Sequence, residues 1–223
     1  MNTQDVIIAG ATGLIGQNLL SIVTDSNKYN KVHVLARRKI SPQHNKVIVH
    51  QSEFGRLEET LTGISVSTVF CCLGTTMRNA GSADAFRKVD FDYPLHLAKI
   101  MHGQGAKQFA LVSSTGANKN SRIFYSRVKG EIETAIADLD FKSILIFRPS
   151  LLLGSRPEFR FGESVSKIFM QVFSPLFIGS LKRYRPVQAR SVGAVMAHEA
   201  AKDLTGVNIY ESDQIQIISN KIE

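Results

Sequence analysis

Short runs of apolar, often β-branched residues alternate along the chain with longer segments in which apolar positions recur every three or four residues. The short runs predict strands over 5–9, 32–36, 46–50, 67–72, 107–112 and 143–147. The longer segments predict helices over 14–24, 83–103, 121–138 and 191–203. In the third of these helices Val128, Ile132, Ala135 and Leu139 repeat at helical spacing, while Glu131, Glu133 and Asp138 fall on other faces. Strands and helices in alternation build βαβ units, so the expected fold class is α/β, a doubly wound, mostly parallel sheet covered on both faces. Beyond Arg148-Pro149 the alternation loses its regularity, and 150–223 reads as a small C-terminal subregion facing the substrate.

Composition narrows the picture. A chain of 223 residues with 43% hydrophobic content can bury one sizeable core, so a single domain over 1–223 is expected, with 1–149 as its cofactor-binding part. The two cysteines, Cys71 and Cys72, are adjacent within an apolar run, which suits core residues and a reducing compartment better than a disulfide. Residues 1–5 lack the pattern of a signal peptide, and the apolar stretch around Ile168–Ile178 is too short to span a bilayer. A soluble, cytoplasmic protein is therefore expected.

The net charge of +8 favours anionic partners: a phosphorylated cofactor, nucleic acid or an anionic membrane surface. No helix-turn-helix, zinc-finger or aromatic RNA-binding signature accompanies the charge, so no nucleic acid is expected. The six histidines lack metal-ligand spacing, and Lys182-Arg183-Tyr184-Arg185 reads as a solvated basic loop.

Directly after the first strand stands Gly10-Ala11-Thr12-Gly13-Leu14-Ile15-Gly16, which opens an apolar helix. Gly10 permits a tight turn, Gly13 lets the backbone approach a pyrophosphate, and Gly16 allows close packing of helix on strand. Free N–H groups at the helix start would face the phosphates. This is the glycine turn of a Rossmann sheet. At the end of the second strand an NAD enzyme usually carries an acid that accepts the ribose hydroxyls, but here the chain reads Ala36-Arg37-Arg38. Two guanidinium groups suit a 2′-phosphate, so NADP(H) is the expected cofactor. Leu73 and Gly74, closing the fourth strand, lie where a doubly wound sheet binds its ligand.

Of the five tyrosines, only Tyr125 has a lysine, Lys129, four positions later, which places both on one side of a helix. Ser113 and Ser114 close the fifth strand, eleven residues before Tyr125 in the case of Ser114. A phenol can act as general acid toward the oxygen of a carbonyl that receives a hydride, and a nearby ammonium helps it to do so at neutral pH. Tyr125 is thus the candidate acid. Lys129 would support it and hold the nicotinamide ribose, and Ser114 would orient the substrate oxygen, with Ser113 as the alternative.

With these strings, Phe70-Cys71-Cys72-Leu73-Gly74-Thr75-Thr76 and Phe147-Arg148-Pro149 in view, the chain resembles an atypical short-chain dehydrogenase/reductase. More narrowly it is similar to the HIV Tat-interacting protein family of NADPH-binding, oxidoreductase-like proteins. The resemblance runs from about residue 6 to 200 and implies NADPH contacts at Thr12, Gly13, Leu14, Ile15, Arg37, Arg38, Leu73, Gly74, Tyr125, Lys129 and Leu152. The chain departs from the broader pattern in having Cys-Cys-Leu-Gly after the fourth strand and Asp90 and Asp92 where many relatives offer an asparagine. Two functions follow from these residues: reduction of a small carbonyl compound with NADPH, or NADPH-dependent recognition of a protein partner with vestigial catalysis.

Overall fold

In the computed structural model, residues 4–42, 44–154 and 183–222 are described. Seven parallel strands form the main sheet. The first three are β1 (Gln4–Ala9), β2 (Tyr29–Ala36) and β3 (Val47–Gln51). The central ones are β4 (Thr68–Cys71), β5 (Gln108–Val112) and β6 (Ser143–Arg148). Two-residue strands β7 (Leu152–Leu153) and β8 (Val187–Gln188) pair separately, and β9 (Gly206–Glu211) closes the main sheet in the order β3-β2-β1-β4-β5-β6-β9. The order reverses between β1 and β4, so a crevice opens at their carboxyl ends.

Alternation along each strand feeds two cores. Val6, Ile8, Phe70 and Leu145 face α1 (Leu14–Asp25), whereas Ile7, Phe109 and Ile146 face the opposite layer. That second layer holds α2 (Leu57–Leu61) and, beyond the short helices α3 (Met77–Ala80) and α4 (Ala83–Arg87), α5 (Tyr93–Gly103) and α6 (Phe124–Ala137). Two helices, α7 (Ala189–Ala200) and α8 (Ser212–Ile222), complete the first layer. A Cβ on Gly193 of α7 would stand 3.0 Å from the Leu19 nitrogen, so this glycine lets α7 press directly on α1.

Six of the strands and three of the helices lie within a few residues of where the hydrophobic pattern puts them. The helix expected over 83–103 is instead interrupted. Between α4 and α5 the chain makes a π-helical turn over Lys88–Asp92, in which the Tyr93 N–H donates to the Lys88 carbonyl. Pro94 explains the break: its ring cannot coexist with a regular helical carbonyl four residues earlier, at Asp90. The second difference lies in the tail. Within the subregion assigned to the substrate, residues 206–222 supply β9 and α8 to the main sheet, and α7 covers its first face. The apolar stretch at 168–178 and Lys182 lie outside the described residues.

Candidate active site

The glycine turn takes the form its spacing demands. Gly10 has φ +84°, and a Cβ there would meet the Cys72 carbonyl oxygen at 2.6 Å, so the turn and the end of β4 touch backbone to backbone. A Cβ on Gly16 would lie 2.1 Å from the Gly10 carbonyl oxygen, and the Gly13 N–H donates to that same oxygen at 3.0 Å. Beside this turn lies a cleft of about 400 Å³, lined among others by Gly10, Thr12, Gly13, Arg37, Leu73 and Gly74. These contacts are internal: they hold the turn against β4 and against the start of α1, while the cleft beside it, with the turn's Thr12 and Gly13 and the cation of Arg37 in its lining, has the donors a dinucleotide needs.

Other candidates sit differently. Arg38 is exposed beside the cleft and does not line it. Ile15 is buried in the first core, where only its backbone could serve a ligand, while Leu14 and Leu152 are half-buried and pack against that core. Ser52, Asn79, Val89 and Tyr93 line the cleft without having been singled out by any motif. Ser52 follows β3, Asn79 lies on α3, and Val89 and Tyr93 stand in and just after the π turn, so no local spacing records them together.

Tyr125 and Lys129 do not line this cleft; α6 carries both, one helical turn apart. Gly130 seats this helix: a Cβ there would collide with the Lys119 nitrogen at 2.1 Å, so α6 lies hard against the loop that follows the serines. Tyr125 is half-buried, its ring 5.4 Å from that of Phe86, and none of the described residues makes a hydrogen bond to its hydroxyl. Lys129 is 4% exposed and its Nζ stands 2.8 Å from Asp90 Oδ1. The other Asp90 oxygen accepts the Thr75 N–H at 2.9 Å. Burial lowers the Lys129 ammonium, but attraction to Asp90, aided by Tyr125 and Cys71, outweighs it and raises this group above the ordinary lysine range. Gly74 joins cleft and ion pair, since a Cβ on it would lie 3.4 Å from Asp90 Oδ1 and 3.7 Å from Lys129 Nζ.

The two serines have different surroundings. Ser113 is buried and donates its hydroxyl to Glu133 Oε1, while its N–H donates to the Phe147 carbonyl at 2.7 Å. Among the described residues the Ser114 hydroxyl makes only a long contact, to the Thr115 carbonyl at 3.5 Å. Glu133, placed on an outer face by helical periodicity, is buried because Arg148 grips both its oxygens, at 3.0 and 2.5 Å, and reaches Glu211 at 2.8 Å. The bonds to Glu133 hold the Arg148 guanidinium above its usual range against the effect of burial. Burial pushes the Cys71 thiol up to about 12 and that of Cys72 higher still, which leaves both neutral at ordinary pH; Cys71 is a core residue as expected, whereas Cys72 is half-buried and lines the cleft.

A parallel sheet in this strand order, with a glycine turn at its switch point and an ordered Tyr-x-x-x-Lys helix, defines a dinucleotide-binding α/β protein. The family described as "NAD dependent epimerase/dehydratase family" matches residues 6–172, and the chain belongs to it. Among individual relatives, rat Protein HTATIP2 is 40% identical over 173 residues, 76% of this chain and 71% of its own. Protein FMP52, mitochondrial, from Saccharomyces cerevisiae is 31% identical over 220 residues, 96% of this chain and 93% of its own. The resemblance to the Tat-interacting proteins thus holds. Of solved structures, MoeE5 in complex with UDP-glucose and NAD superposes with a TM-score of 0.69 at 15% identity, over 97% of this chain and 81% of that one, which shows the shared fold. The expectation of a cytoplasmic protein is corrected by these comparisons, because fungal relatives at this level of identity are named as mitochondrial. Absence of a recognisable signal peptide does not report on that compartment.

Proposed function

We propose that this protein is an NADPH-dependent oxidoreductase that reduces a small carbonyl compound. The observation that carries the reading is the contact at Gly74, where the nucleotide cleft meets the buried Lys129–Asp90 pair one helical turn from Tyr125. The N–H groups of the 10–16 turn would hold the pyrophosphate, and Arg37, with Arg38 at the rim, would hold a 2′-phosphate. When bound, NADPH supplies a hydride to the carbonyl carbon and becomes NADP+. Negative charge then builds on the carbonyl oxygen, and the Tyr125 hydroxyl delivers the proton that completes the alcohol. Lys129 stabilises the resulting phenolate and binds the ribose hydroxyls. Ser114 orients the substrate oxygen, a role for which its weakly engaged hydroxyl suits it better than that of Ser113.

The test is a fluorescence titration of the purified protein with NADPH and NADH, followed by the absorbance of NADPH against a panel of aldehydes, ketones and quinones. Tight NADPH binding with consumption is expected. Tyr125→Phe should then abolish turnover and spare cofactor affinity, and Lys129→Ala should damage both. Tight binding with no consumption across the panel would move the assignment to NADPH-dependent recognition of a partner.

A further inference from the structure

We propose that Asp90 is a positioning residue that, acting through Lys129, keeps the Tyr125–Lys129 couple fully protonated as the pH rises and so maintains it as a proton donor. The purpose rests on the reductase reading; the geometry does not. The Asp90 side chain is completely buried and that of Lys129 is 6% exposed, with 2.8 Å between charged atoms. Among the described residues, three titratable groups face Lys129: Asp90 from the π turn, Tyr125 from its own helix and Cys71 from β4. Because the Cys71 thiol is pushed up to about 12, Asp90 is the negative charge of the set at ordinary pH.

Removing a proton from either member of a coupled pair is harder beside an anion, whichever member loses it first. Asp90 therefore raises the first proton loss of the couple as a whole. Carbonyl reduction needs both protons in place, one on the phenol that is to be donated and one on the ammonium that stabilises the phenolate left behind. The site reaches this arrangement through Pro94, which imposes the π turn that holds Asp90.

Asp90→Asn removes the charge while keeping the shape and an acceptor for the Thr75 N–H. The cofactor-free protein, labelled with ¹³C at tyrosine Cζ and lysine Cε, is titrated by NMR, with the two resonances assigned by their loss in Tyr125→Phe and Lys129→Arg. Whichever resonance titrates first should do so about one pH unit or more lower in Asp90→Asn than in the wild type. An unmoved first step in the folded variant overturns the proposal, since a purely structural role predicts that result. Should Asp90→Asn fail to fold, the wild-type titration decides. A first proton loss no lower than the ordinary tyrosine value of about 10 supports the proposal, since a lysine ammonium without its anion would pull the phenol lower, and a first loss clearly below that value overturns it. The NMR shift with no turnover in the wild type would count against the reductase and leave the role of Asp90 standing.

Discussion

The Ser113 hydroxyl donates to the Glu133 carboxylate inside the protein, tying the turn after β5 to the middle of α6. This bond gives the two adjacent serines different work. Ser113→Ala removes one of the two donors to Glu133 Oε1, which keeps the Arg148 Nε, and should cost about 1 kcal/mol of stability while sparing cofactor affinity. Ser114→Ala should leave stability within about 0.5 kcal/mol and depress turnover. Chemical denaturation and NADPH titration of both variants check the division, and the reverse pattern would exchange the roles.

Arg37 lines the nucleotide cleft and Arg38 stands outside it, so the two should not weigh equally. Loss of a charge-assisted contact predicts that Arg37→Ala weakens NADPH binding by about tenfold or more and leaves NADH little changed. Arg38→Ala should have the smaller effect. Parallel titrations with the two cofactors measure this, and equal losses for both would mean that neither arginine reads the phosphate.

At Gly10 a positive φ coincides with backbone contact to Cys72. Gly10→Ala should lose about 2 kcal/mol or more of stability and most cofactor affinity together. Gly63 also has positive φ but open space around its Cβ position. Gly63→Ala should show only the conformational cost, about 1–2 kcal/mol, with NADPH affinity retained. Thermal unfolding with and without NADPH separates the two cases.

His33 and His50 share a hydrogen bond of 2.8 Å across β2 and β3, which requires at least one neutral ring. Burial lowers both below 6.5, aided at His33 by the neighbouring His50. Below that value the unfolded chain takes up protons that the folded pair resists. Stability present above pH 6.5 is therefore lost as the pH falls through the lowered values. Melting temperatures between about pH 8 and pH 5 should decline toward acid, and less steeply in His50→Gln. A slope unchanged by that substitution would remove the pair from the account.

Much of this site is written in short-range sequence. The glycine turn, the strand-end serines and the four-residue step from Tyr125 to Lys129 depend on local geometry, and periodicity places the elements that carry them. What escapes is set by distant partners. Asp90 is recognisable as a departure from the family pattern, but its pairing with Lys129 needs the π turn and the packing of that turn on α6. Glu133 reads as an exposed helix residue until Arg148 arrives beside it from β6. β9 escapes because an edge strand with exposed Val207 and Ile209 lacks the apolar run that marks the buried strands.

The grip of Glu211 on Arg148 spans 63 positions and comes from the last strand of the sheet. Arg148 in turn holds Glu133, which receives the Ser113 hydroxyl, so a turn made midway through synthesis is braced, at one remove, by a residue made near its end. The nucleotide cleft, the serine turn and the helix that bears Tyr125 and Lys129 all precede Arg148 in the chain, so a chain cut before β9 would carry them all and lack the last brace on that arginine.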